Sequence, residues 1–217
     1  MQVQAVLDAL EALYPEAKAE LHFSNPFETL IATILSAQCT DKRVNQVTEK
    51  LFAAYPDAQA LGGLEPAELE PWIMTCGLYH NKAKNIVAAC RMLTQEYEGQ
   101  VPNDRAKLMK LAGVGQKTAG VVLLAAFGDD QIPVDTHVFR VANRIGLVDE
   151  ATADKTEVAL RAALPKACWS HAHHLLIWHG RRMCHARGPA CGACPLAKEN
   201  CMYFARQAQV TTDSTDT

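Results

Sequence analysis

Apolar residues recur along most of the chain at the three- and four-residue spacing of amphipathic helices. Near the amino terminus, for example, Val6, Leu7 and Leu10 would lie on one face of a helix. No segment shows the sustained alternation of apolar and polar residues that indicates a β-strand. The pattern therefore predicts an all-α fold, in which helices pack on helices.

Capping signals mark the ends of several predicted helices. Asn25 before a proline indicates a helix start, and Gly146 indicates a left-handed end to the helix that follows Asp135. Residues 116–127 are almost entirely apolar, which predicts a central buried helix. The polar tail 207–217 is predicted to be disordered. Other helices are predicted over residues 3–14, 41–55, 57–61, 66–74, 82–97, 104–113, 152–164 and 170–181.

Composition excludes several classes of protein. Hydrophobic residues make up 49% of the 217 residues, which is typical of a chain with a packed core. The longest uncharged apolar run, Ala119 to Gly128, is too short to span a membrane, and the acidic start of the sequence lacks an export pattern. We therefore expect a soluble, cytoplasmic protein. Because the formal net charge is −3, any phosphate-binding surface must be a local patch.

The segment 111–119, LAGVGQKTA, joins two predicted helices and carries the first candidate chemistry. Gly113 and Gly115 permit a tight turn that leaves backbone N–H groups facing outward at a helix start, an arrangement that binds phosphate. Lys117 lies just inside the second helix, where the positive end of the helix dipole and partial burial favour a neutral amine. A neutral amine is the nucleophile that forms a Schiff base. A plain helix–helix turn is the alternative interpretation.

The helix predicted to begin after Asp135 carries polar residues of two kinds. Asp135 itself precedes the helical pattern, which is typical of an N-cap residue. If its carboxylate also faces Lys117, it could accept a proton or stabilise positive charge at a sugar carbon, but the sequence does not place the two together. Arg140 and Arg144, one turn apart, are predicted to form a solvated or ion-paired face.

The cysteines fall into two groups. Four are dispersed through apolar helical segments, where a free thiol behaves as a small hydrophobic residue: Cys39, Cys76, Cys90 and Cys168. The others cluster near the carboxyl terminus: Cys184, Cys191, Cys194 and Cys201. Without an export signal, this clustering indicates ligation of zinc or of an iron–sulfur cluster, and the wide first gap favours the larger group. Basic residues outnumber the single acid, Glu199, across 181–206, so a phosphate patch is best sought here.

Five separated motifs occur in the order typical of one protein family. They are ILSAQCTD (34–41), GLYHNKAKNI (77–86), LAGVGQKTA (111–119), VDTH (134–137) and HHLLIWHGRRMC (173–184). With the terminal cysteines, they resemble the endonuclease III family of the helix-hairpin-helix DNA glycosylase superfamily. The resemblance covers residues 20–204 and is specific, because the motifs are distinct and ordered.

The resemblance implies two helical domains that flank a DNA-binding cleft. One is a six-helix domain, residues 22–132, with the helix-hairpin-helix near 104–127. The other combines residues 1–21 with residues 133–206 and holds a [4Fe-4S] cluster. We expect a monomer whose partner is double-stranded DNA with damaged bases or abasic sites.

The resemblance also implies a role for individual residues. Lys117 would be the nucleophile and Asp135 the essential carboxylate. Gln38 would fill the space left by an extruded nucleotide, and Leu78 would wedge beside the orphaned base. The hairpin residues that would bind DNA are Gly113, Val114, Gly115 and Thr118. The cluster ligands would be Cys184, Cys191, Cys194 and Cys201.

The implied activity is that of a bifunctional DNA glycosylase and AP lyase in base excision repair. Such an enzyme flips out an oxidised pyrimidine such as thymine glycol, forms a Schiff base with the sugar, and cleaves the strand 3′ to the abasic site by β-elimination. Two alternatives stay open. An adenine glycosylase of the same superfamily would need a glutamate where Thr33 stands. A non-catalytic iron–sulfur module that recognises lesions would not need Lys117 or Asp135.

Overall fold

The computed structural model describes residues 3–197 and 201–213, with side chains described up to residue 207. These residues form helices and connecting turns and contain no strand, so the predicted all-α class is confirmed. The helices are α1 (Val3–Leu13), α2 (Pro26–Ser36), α3 (Asp41–Ala54), α4 (Ala58–Gly62), α5 (Pro66–Ile73), α6 (Tyr79–Glu96), α7 (Arg105–Leu108), α8 (Gln116–Phe127), α9 (Thr136–Ile145), α10 (Ala153–Ala163), α11 (Trp169–Arg182) and α12 (Met202–Asp213), with short 3₁₀ helices at Lys166–Cys168 and Cys191–Ala193.

Several helix ends agree with their capping signals. The Asn25 side chain accepts a hydrogen bond from the Glu28 N–H at the start of α2, and Gly146 ends α9 with a φ of 82°. The helix predicted over 104–113 is shorter, because the chain leaves α7 after Leu108 to form the turn before α8. The predicted buried helix, α8, packs against α2 with Ala119, Val122 and Leu123 in the core, and its remaining residues from Thr118 to Phe127 are no more than half exposed, apart from buried Gly120.

The chain divides into two compact units, and the continuous one is Ala19–Asp129. Its core is centred on α2, where the apolar run around Leu30, Ile31 and Leu35 is fully buried. Both α6 and α8 pack against α2, and α4 and α5 pack against α6. Burial of α2 on most sides explains why its sequence is apolar almost without interruption.

The second unit combines Met1–Lys18 with Asp130–Thr217. Its centre is α11, which packs against α9 and α1. The Tyr14 hydroxyl lies 3.1 Å from His179 Nδ1, and the Trp178 indole N–H donates to the Lys18 carbonyl at 3.1 Å. These contacts join the two separate parts of the sequence.

The carboxyl-terminal helix extends further than the sequence indicates. α12 continues to Asp213, so residues 207–213 of the tail predicted to be disordered are helical. Residues 207–209 are Gln-Ala-Gln, good helix formers that extend the helix already begun at Met202. The rest of that tail, 214–217, lies outside the described residues. None of the helices described is both long and apolar enough to cross a membrane.

Candidate functional site

The predicted hairpin is a tight turn between α7 and α8. Gly113 adopts a φ of +80°, and a Cβ atom there would lie 3.0 Å from the Cβ of Asn85 on α6. Val114 between the two glycines is buried and anchors the turn, and its N–H donates to the Leu111 carbonyl. Gly115 is the N-cap of α8 and no side chain caps this helix. The first N–H groups of α8 therefore face outward beside two exposed glycines, as an anion-binding turn requires.

Lys117 lies in the first turn of α8 and is exposed. Partial burial of Lys117 was expected, and that expectation was wrong, because the turn holds the helix start at the surface. Within the described residues the amine makes no hydrogen bond or ion pair, so it is accessible to a bound substrate. Thr118, the next residue, is half-buried.

The two hairpin glycines make a matched pair for a stability test. We expect Gly113→Ala to lower the free energy of unfolding by about 1–2 kcal/mol, because alanine disfavours a positive φ and its Cβ would press on Asn85. Gly115→Ala should change it by less than about 0.5 kcal/mol, since its φ is −95° and no atom lies within 4 Å of the new Cβ. Urea unfolding measures both, and equal losses would contradict the proposed role of the positive φ.

Gln38 and Leu78 share an uncommon backbone conformation. Their φ angles are 54° and 60°, and Glu98 is the one other non-glycine residue with a positive φ in the described part of the chain. Such a conformation costs a residue with a Cβ about 1–2 kcal/mol and is often found at functional sites.

The same two residues also lie on neighbouring loops. A Cβ atom at Gly77, beside Leu78, would lie 3.5 Å from the Gln38 carbonyl oxygen. Both side chains are exposed, Leu78 to 55%. The structure thus brings the two predicted DNA-inserting residues together.

Asp135 is the N-cap of α9, as predicted. Its Oδ1 accepts hydrogen bonds from the His137 and Val138 N–H groups, both at 2.8 Å. The other oxygen, Oδ2, accepts no hydrogen bond within the described residues, so half of the carboxylate is available for chemistry. Asp135 and Lys117 belong to different units of the chain, and their pairing stays a prediction.

The four predicted cysteine ligands line one cavity in the second unit. Cys184 is buried and the others are half-buried. Burial and the nearby thiols of Cys201 and Cys184 raise the pKa of Cys191, and burial also raises the pKa of Cys194. A cavity lined by four thiols fits a bound cation, because a cation would hold them as thiolates.

The donor geometry bears on the kind of metal group. Among the described residues, no three His, Cys, Asp or Glu side chains are grouped so that they could hold one metal ion. All four residues that share the cavity are nevertheless cysteines, a donor set that suits either zinc or an iron–sulfur cluster.

Arg140 and Arg144 were expected to form a solvated or ion-paired face, and this expectation was wrong. Arg140 donates to the carbonyl oxygens of Gly180 and Cys184 at 2.9 and 3.0 Å. Arg144 donates to the His185 carbonyl at 2.7 Å and lies 3.6 Å from Cys184 Sγ. The two arginines hold the loop with the first thiol, and no sequence signal indicated this role, because the arginines and the loop are far apart in the sequence.

Comparisons with known proteins give one consistent result. Residues 31–166 match the model of the HhH-GPD superfamily base excision DNA repair protein. The chain is 46% identical over 207 residues to endonuclease III of Rickettsia conorii, covering 94% of this chain and 98% of that protein. It is 44% identical over 198 residues to endonuclease III of Escherichia coli K12, covering 91% and 93%. It also matches the structure of a trapped endonuclease III–DNA covalent intermediate with a TM-score of 0.91 and 45% identity, over 95% of this chain and 97% of that one.

Proposed function

The chain belongs to the HhH-GPD superfamily of base excision DNA repair proteins, and from this premise we propose that Lys117 and Asp135 carry out its chemistry. Its similarity to endonuclease III over most of both chains makes it a DNA glycosylase with AP lyase activity. The observation that carries the assignment of Lys117 is its position, an exposed amine in the first turn of α8.

DNA binding by the hairpin follows from its backbone. The exposed glycines Gly113 and Gly115 let a phosphate approach closely, and the N–H groups at the start of α8, including that of Thr118, donate to it. Buried Val114 fixes the turn, so the donors are preorganised. This contact is independent of base sequence, which suits an enzyme that searches DNA for damage.

Base flipping is assigned to Gln38 and Leu78. An exposed leucine beside an exposed glutamine offers an apolar wedge and a hydrogen-bonding group at one place. The wedge would replace lost stacking, and the amide would pair with the orphaned base edge. Flipping is least costly for lesions that already stack poorly, which favours oxidised pyrimidines.

The chemical steps use the two proposed catalytic groups. Asp135 Oδ2 accepts a proton from the Lys117 ammonium, and the resulting amine attacks C1′ while the C1′–N bond breaks and the base leaves with the bonding electrons. The C1′–O4′ bond of the sugar ring then breaks, a proton passes from Nζ to O4′, and a Schiff base forms between Nζ and C1′. Loss of a 2′ proton then breaks the C3′–O bond, releasing a 5′-phosphate. Hydrolysis of the Schiff base restores Lys117.

Cys184, Cys191, Cys194 and Cys201 would hold the [4Fe-4S] cluster. When bound, the cluster would cross-link the carboxyl-terminal loop, with Arg144 supporting the loop at Cys184. We expect purified protein to contain iron and acid-labile sulfide in equal amounts. Cys191→Ala should lose most of both, whereas Cys168→Ala, outside the cavity, should keep them. Active protein that contains zinc and no sulfide would contradict this assignment.

A panel of duplexes, each with one lesion, tests the proposed substrate class. We expect excision of thymine glycol and no excision of adenine opposite guanine. Thr33, where an adenine glycosylase would need an acid, is buried, and its hydroxyl donates to the Thr29 carbonyl at 2.6 Å. Adenine excision without thymine glycol excision would reverse the assignment. We further propose a monomer that acts on damaged double-stranded DNA, and the bacterial origin of the relatives fits a location in the cytoplasm.

A further inference from the structure

One lysine of the Ala19–Asp129 unit is buried and has no role in the chemistry described above. Lys82 lies in the first turn of α6 and is only 4% exposed. Its ammonium donates to the Leu35 carbonyl at 2.8 Å, and within the described residues it has no carboxylate partner. Burial lowers the pKa of Lys82, although the nearby Cys76 and Cys39 thiols act in the opposite direction. Burying an ammonium without a carboxylate is unfavourable, so stability alone does not account for this residue.

The hydrogen bond of Lys82 connects two helix ends. Leu35 lies in the last turn of α2, where carbonyl groups lack partners within the helix. In α6, the N–H of Lys82 donates to the carbonyl of Leu78 at 3.0 Å. One residue therefore joins the end of α2, which leads to Gln38, to the start of α6, which follows Leu78.

The loops that carry Gln38 and Leu78 meet close to the hydrogen bond between Lys82 and Leu35. Cys39 follows Gln38 and packs against the core, and Cys76, two residues before Leu78, is fully buried in it. The thiols of Cys39 and Cys76 lie close enough to interact electrostatically with each other and with Lys82. The charged end of Lys82 is thus enclosed by the loops that carry the proposed inserting residues.

We propose that Lys82 is a positioning residue, a buried tie that holds the loops of Gln38 and Leu78 in the geometry required for insertion into DNA. This inference rests on the proposed function of those two residues. Both have a positive φ, a conformation that persists only when the surroundings support it. Without the hydrogen bond from Lys82, the two loops relax. Gln38 and Leu78 then adopt the conformation that inserts into the duplex less often. The amine of Lys117 on α8 is untouched.

A variant cycle tests the inference. Lys82→Met removes the donor with little change of volume, and Lys84→Met makes the same change at an exposed site of the same helix. We expect Lys82→Met to lower kcat/KM for thymine glycol excision by about tenfold and to reduce the fluorescence of a 2-aminopurine placed opposite the lesion. Lys84→Met should retain both. Urea unfolding should show a change of less than about 1 kcal/mol for Lys82→Met, because removal of the buried charge offsets loss of the hydrogen bond to the Leu35 carbonyl.

The background variant Gln38→Ala/Leu78→Ala decides how Lys82 acts. In that background, adding Lys82→Met should lower activity by less than about twofold, because the residues it positions are absent. An equal tenfold loss in both backgrounds, or no loss in either, would overturn the inference. If Lys82→Met does not fold, Lys82→Gln, which keeps a neutral donor, replaces it in the same cycle with a smaller expected loss. Wild-type protein that fails to form a borohydride-trapped complex with abasic DNA would instead overturn the proposed function.

Discussion

Replacing Lys117 with alanine is expected to abolish the covalent complex that borohydride traps between the protein and DNA containing an abasic site. Borohydride reduces a Schiff base to a stable amine, so trapping reports the bond between Nζ and C1′. Alanine has no amine, and strand cleavage should fall by at least about 1000-fold. Because Lys117 is exposed and its side chain makes little packing contact, the substitution should leave the fold intact. Denaturing gel electrophoresis after reduction gives the measurement.

The matched control is Lys110→Ala, an exposed lysine near the same turn. It removes the same charge without removing the proposed nucleophile, so DNA affinity falls modestly and trapping continues. If Lys117→Ala is trapped as strongly as the wild type, another amine is the nucleophile and the assignment is wrong.

Asp135→Asn is expected to lower base excision by about 100-fold while leaving the fold intact. Asparagine is as good an N-cap as aspartate, so the hydrogen bonds from His137 and Val138 persist and the free energy of unfolding should change by less than about 0.5 kcal/mol. What is lost is the negative charge, and with it the proton acceptor for Lys117. Single-turnover kinetics on thymine glycol DNA measures the loss.

Asp135→Ala separates the two roles of the carboxylate. Asp135→Ala should also lower the free energy of unfolding by about 1 kcal/mol, because the cap is removed as well. Its loss of base excision should be no greater than that of Asp135→Asn. Full activity in Asp135→Asn would show that the carboxylate only caps α9.

Local features of the fold were predictable, because they depend on neighbouring residues. Asn25, Asp135 and Gly146 signal helix ends through their own side chains or through the lack of one. The hairpin was predictable for the same reason, since Gly113 and Gly115 permit its turn. Exposure of Lys117 was not, because it depends on how the turn packs against α6.

Features that depend on contacts between residues far apart in the sequence could not be predicted. The Lys82 side chain donates to a carbonyl 47 residues away, and the Arg144 side chain donates to carbonyls about 40 residues away. Such partners cannot be predicted from the periodicity of apolar residues. The positive φ of Gln38 and Leu78 could not be predicted either, because neither residue type favours it. The surrounding structure imposes these conformations, which is why the inserting residues were identified by resemblance and not by local propensity.

The discontinuous unit has a consequence for the order in which this protein matures on the ribosome. α1 is synthesised before Ala19–Asp129, but Tyr14 can contact His179 only after α11 has been made. Residues Ala19–Asp129 have their own core and can fold as they emerge from the ribosome. The apolar face of α1, in contrast, stays exposed until α11 has been made. α1 is therefore translated well before it is buried, and truncated chains that stop before α11 should be the ones that chaperones retain.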